Sequence, residues 1–190
     1  MNLVPSPSQT VGPFFSVGLA IDRPCGCLVG PGTKGQRLKL ICAVLDGDAM
    51  PVKDAMIEVW QANANGQYNH PEDLQPKPTD AKFTGFGRTH SDESGLCIFE
   101  TIRPGRVPGW GKVFQAPHLN LSVFARGILK RLATRVYFAD DPANAEDPVL
   151  ALVPEGRRGT LMAHADLKQP GLWHFEIYLC GDHETVFFDL

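Results

Sequence analysis

No stretch of this sequence approaches eighteen consecutive apolar residues, which excludes a helix able to cross a bilayer. Neither sign of charge dominates. The 21 acidic and 18 basic residues are dispersed and leave a net charge of -3, which argues against a nucleic-acid or membrane-surface protein. The first twenty residues have no basic start followed by an apolar run, so no secretory leader is expected and the protein reads as soluble and cytoplasmic. Cysteines are few and odd in number: Cys25, Cys27, Cys42, Cys97 and Cys180. Without a leader, that count argues against a disulfide framework, and the Cys25-Gly26-Cys27 spacing does not suit zinc. Cys42, Cys97 and Cys180 lie in apolar, strand-like runs and are expected to be buried, reduced thiols. Helix signals are equally scarce. The best helical candidate covers residues 143–153, with Asp140 or Asp141 near its start and Pro148 limiting its length.

What the chain does contain is turn chemistry. Nineteen glycines and sixteen prolines separate short runs rich in β-branched and aromatic residues. Strands are expected at 38–45, 56–61, 96–102, 119–126, 134–138, 174–179 and 185–189. In two of them the alternation is clean: Leu119, Leu121 and Val123 oppose Asn120, Ser122 and Phe124, and Phe175, Ile177 and Leu179 oppose His174, Glu176 and Tyr178. Seven short strands in 190 residues point to one mainly β domain, a β-sandwich, over 36–190. Residues 1–35 form an N-terminal arm, and 69–84 form a second irregular stretch.

Four places could carry chemistry. His118, preceded by Pro117 and opening a strand, could be a metal ligand, a base or a hydrogen-bonded structural histidine. Tyr68 follows Gly66 in a turn and could be a ligand phenolate or a half-exposed cap on the sandwich. In the arm, Thr10-Val11-Gly12-Pro13 makes a turn whose backbone can approach a ligand closely. Arg126 ends an apolar strand just before Gly127, so its guanidinium can sit at the sheet rim and meet a carboxylate; a solvated arginine is the plain alternative.

Several of these segments, taken in order, resemble the intradiol ring-cleaving dioxygenases. They are Pro7 to Pro13, Glu58-Val59-Trp60-Gln61-Ala62, Phe86-Gly87-Arg88-Thr89, Ala116-Pro117-His118-Leu119-Asn120, Phe124-Ala125-Arg126-Gly127 and Glu184 to Asp189. In that family a ferric iron is held by two tyrosines and two histidines. By position, Tyr68 matches the first tyrosine and His118 the first histidine. Asn120 stands where the second histidine is expected and Val107 where the second tyrosine is expected, while Gln115 replaces an arginine of the catalytic members. The resemblance therefore implies a chain with no catalytic or metal-binding residues of its own. Fe(III) would be held by a homologous partner subunit in a higher-order hetero-oligomer. Arg126, Thr10, Gly12 and Pro13 would bind a catechol substrate that carries a carboxylate and is cleaved with O2. Two other readings compete: a self-sufficient dioxygenase recruiting His70 or His90, and a non-enzymatic β-sandwich binding module.

Overall fold

A computed structural model describes residues 7, 9–12, 15, 18–19, 26–111 and 113–189. Ten strands follow one another: β1 (Arg37–Leu45), β2 (Met56–Trp60), β3 (Phe86–His90), β4 (Leu96–Ile102), β5 (Val107–Pro108), β6 (Phe114–Gln115), β7 (His118–Phe124), β8 (Leu132–Phe138), β9 (Met162–Ala165) and β10 (Leu172–Tyr178). Eight of them join in the order β3-β2-β7-β8-β9-β10-β1-β4, and β5 pairs with β6 separately. Alternation drives the layering. Leu38, Leu40, Cys42 and Val44 of β1 share one core with Ile57 and Val59 of β2 and with Leu119, Leu121 and Val123 of β7. The expected β-sandwich is the fold, with β9 pairing to a strand of each layer.

Four expectations need correction. Residues 185–189 form no strand: only Phe188 bridges to Ala133, while the hydroxyl of the buried Thr185 accepts from the Tyr178 N–H. Strand β3 and the short β5, β6 and β9 were not anticipated: Gly87 weakens the signal of β3 and Pro108 that of β5, while β6 and β9 have only 2 and 4 residues. Residues 143–153 fold as 3-10 turns at Pro142–Glu146 and Leu150–Leu152, not as one helix. Asp147 breaks the run, since its carboxylate is buried and accepts from the N–H groups of Val149 at 2.9 Å and Leu150 at 2.7 Å. Finally, Cys42 and Cys97 are buried opposite each other on β1 and β4, where burial raises both thiols, Cys97 to about 12; Cys180 is exposed because it falls in the turn beyond β10. Cys25 and Pro13 lie outside the described residues.

Candidate functional site

The segment from Trp60 to Tyr68 leaves the end of β2 and is tied at once to the other layer. Gln61, fully buried, accepts from Thr101 Oγ1 at 2.6 Å and donates to the Ile102 carbonyl at 3.0 Å. Asn63 Oδ1 closes the turn by accepting from the N–H groups of Asn65 and Gln67. Gly66 has φ +76°, and a Cβ there would lie 1.9 Å from the Arg106 carbonyl oxygen, so only glycine lets the turn press against the strand that carries Val107. Tyr68 emerges with its N–H donating to Asp73 Oδ2 at 2.7 Å and its ring stacked on Trp60 at 5.7 Å between centroids. Tyr68 and Val107 then border one open cavity.

Strand register assembles the rest. His118 stands opposite Tyr137, and Asn120 lies between Trp60 on β2 and Arg135 on β8. The period of two aims His118 and Asn120 to the same face, as expected. Asn120 Nδ2 donates to the Tyr68 hydroxyl at 3.2 Å and to the Trp60 carbonyl at 3.3 Å. His118 is 3% exposed, and its Nδ1 sits 2.8 Å from the Ala116 carbonyl oxygen, so that nitrogen carries the proton. Nε2 is then a lone pair, buried without a partner among the described residues. Burial, with the nearby Arg135 charge, pushes the imidazole down to about 4, and burial pushes the Tyr68 phenol up. Both groups are therefore neutral near pH 7.

Arg135 and Asp147 were not singled out by sequence reasoning. Arg135 Nη1 donates to Gln115 Oε1 at 2.7 Å and approaches the Tyr137 hydroxyl at 3.3 Å. Asp147 accepts from the Ala116 N–H and the Tyr137 hydroxyl, pinning the residues before His118. The only signal for Arg135 was a charged residue alternating within an apolar strand.

Arg126 lies in the turn just past the opposite end of β7, two residues after Phe124, and the strand itself puts about 13 Å between Asn120 and Phe124. Its side chain is 73% exposed and pairs with Asp54. Thr10 Oγ1 accepts from the Gly127 N–H at 2.8 Å, and Phe15 packs on Phe124 at 5.3 Å between centroids, with Gly12 between them in sequence. Thr10, Gly12 and Arg126 are thus gathered at one end of the sheet, far from Tyr68 and His118.

The Dioxygenase family model matches residues 11–179. The chain belongs to the intradiol dioxygenase family. Its relatives include the protocatechuate 3,4-dioxygenase alpha chain of Burkholderia cepacia, 39% identical over all of this chain and 99% of that one. The beta chain from the same organism is 36% identical, over 80% of this chain and 67% of that one. In fold it is similar to the dioxygenase domain of a carbohydrate-binding fusion from Streptomyces sp. SirexAA-E, with TM-score 0.63, 24% identity, and coverage of 96% of this chain and 100% of that one.

Members of this family generally depend on Fe(III). The donor set of this intradiol dioxygenase chain does not fit that ion, a hard cation that favours anionic oxygen with some imidazole. One neutral phenol and one neutral imidazole remain. The Asn120 amide donates through Nδ2 to Trp60 and Tyr68 and has only a neutral oxygen to offer a metal, and the buried Val107 side chain has no donor atom. Among the described residues no three of His, Cys, Asp and Glu gather as a metal cluster, and His70 packs edge-on against Trp60 instead of joining one.

Proposed function

We propose that this chain is the alpha subunit of a protocatechuate 3,4-dioxygenase, a cytoplasmic hetero-oligomer whose homologous beta subunit holds the ferric iron. The reaction joins both atoms of O2 to protocatechuate, breaks the ring between the two hydroxyl-bearing carbons and yields 3-carboxy-cis,cis-muconate. The observation that carries this reading is the separation within β7. The residues at the remnant centre are a poor donor set for iron, while Arg126, Thr10 and Gly12 gather past the opposite end of β7, where they can serve a site on another subunit. Residues 1–35 act as the arm that lines the pocket entrance through Thr10, Gly12 and Pro13, and residues 36–190 form the sandwich behind it.

In this reading Arg126 exchanges its exposed pairing with Asp54 for the substrate carboxylate, a fork that suits a planar anion. Arg126→Ala in the assembled enzyme is expected to raise KM for protocatechuate roughly ten- to a hundredfold, as for a lost charge-assisted hydrogen bond. Iron content should not change. Steady-state kinetics with unaltered KM and kcat would remove Arg126 from the pocket. The reading as a whole is tested by metal analysis of the chain purified alone from iron-replete cells. Iron near zero, with ring cleavage appearing only when the beta subunit is added, is the expected result. Stoichiometric ferric iron in the lone chain would favour the self-sufficient alternative, and wild-type ring cleavage by a beta subunit lacking this chain would favour a binding module.

A further inference from the structure

We infer, resting on the role proposed above for Arg126, that Asp54 is a specificity-determining residue: a fixed internal anion that occupies the guanidinium until a substrate carboxylate displaces it. Strands β2 and β7 run antiparallel with Met56 opposite Phe124. Continued two residues beyond that pair, the same register sets Asp54 opposite Arg126, and Asp54 Oδ2 meets Arg126 Nε there. Among the described residues Asp54 is the one ionic partner that Arg126 has.

The two partners differ in freedom. Asp54 stands in the turn before β2, and the buried Ser91 clamps that turn. Ser91 Oγ donates to the Val52 carbonyl at 2.7 Å and accepts from the Ala55 N–H at 3.0 Å, while the Ser91 N–H donates to the Ala55 carbonyl at 2.8 Å. The backbone of Arg126 is held as well. It lies in a turn where the Ile128 N–H donates to the Ala125 carbonyl and Gly127 has φ +83°, with the Gly127 N–H given to Thr10. Its side chain is free to swing, being 73% exposed against 37% for Asp54. An incoming anion therefore draws the guanidinium away and leaves the Asp54 carboxylate behind. The exchange favours the substrate, because Asp54 approaches at Nε without forming a forked pair of hydrogen bonds, whereas a free carboxylate can take two parallel N–H bonds. A catechol without a carboxylate displaces nothing and leaves the pair intact. Asp54 thus weakens binding of the acid but not of its neutral analogue, and so sets how far the pocket separates them.

The test is steady-state kinetics of the assembled enzyme on protocatechuate, with 4-methylcatechol, which has a methyl group in place of the carboxylate, as a competitor. Asp54→Asn is expected to lower KM for protocatechuate roughly two- to fivefold with kcat unchanged, the scale of an exposed ion pair that no longer has to be broken. The inhibition constant of 4-methylcatechol should not move. Asp54→Glu, which keeps the charge, should return KM close to wild type. In an Arg126→Ala background Asp54→Asn should have no effect, since its action runs through the guanidinium. An unchanged or raised KM in Asp54→Asn, where Arg126→Ala alone raises it, would overturn the role of Asp54 and leave that of Arg126 standing. An equal gain in the Arg126→Ala background would also overturn it, because Asp54 would then act by repelling the substrate directly. If Arg126→Ala alone leaves KM unaltered, the role of Arg126 falls and that of Asp54 falls with it.

Discussion

Asp147→Ala is expected to lower the unfolding free energy by about 3–5 kcal/mol, the scale of breaking a buried network of charge-assisted hydrogen bonds. The carboxylate is 1% exposed and accepts four bonds. Oδ2 receives the Ala116 N–H at 2.7 Å, while Oδ1 receives the N–H groups of Val149 and Leu150 and the Tyr137 hydroxyl at 3.1 Å. Truncation strands buried donors from three separate segments, and a stranded donor costs more than a bond made in its place would gain. Asp147→Asn should fall between the two, because the amide retains one acceptor but turns an NH2 toward a neighbouring donor. Urea unfolding of the full chain measures this. A loss below about 1 kcal/mol for the alanine variant would mean that these bonds carry little net energy.

Acid should weaken the fold through His118 in the window from pH 6.5 down to about 4. The group is buried and neutral, with its folded value lowered to about 4 by burial and by Arg135, against 6.5 for an exposed imidazole. Below pH 6.5 the unfolded chain takes up a proton that the native chain refuses, so stability falls as pH falls. The contribution is fully present above pH 6.5; its loss amounts to about 2 kcal/mol by pH 5 and about 3 kcal/mol by pH 4. Carboxylates elsewhere titrate over the same range, so the comparison is with His118→Gln, which has no imidazole. The stability gap between wild type and variant should narrow by that amount between pH 7 and pH 4. A gap constant with pH would mean the imidazole titrates alike in the folded and unfolded chains.

Much of the fold was legible because burial follows local alternation. In β7 and β10 the alternating residues that sequence reasoning put on one side are the ones that fill the core. Alternation says nothing where a segment is held by its neighbours. β3 forms because Gly87 and Arg88 pair with Val59 and Glu58, and residues 185–189 fail to form a strand because Thr185 turns back onto Tyr178 while Phe188 makes one isolated bridge to Ala133. Cys180 looked buried because it closes an apolar run, yet its exposure is decided by the turn after β10.

That positions 107 and 120 carry valine and asparagine in place of the family's tyrosine and histidine was legible before any folding. A missing donor is a property of residue type, and no packing gives Val107 an oxygen or Asn120 an imidazole. What took its place was decided only by tertiary structure. Arg135 comes beside Asn120 through the pairing of β7 with β8, and Asp147 reaches Ala116 across thirty-one positions. Thr10 meets Gly127 across 117 positions. Such contacts depend on register, on chain reversal and on which polar groups burial leaves without water. A residue's chemical type is set by the sequence alone, but the charge it neutralises is set by what the fold brings within about 3 Å of it.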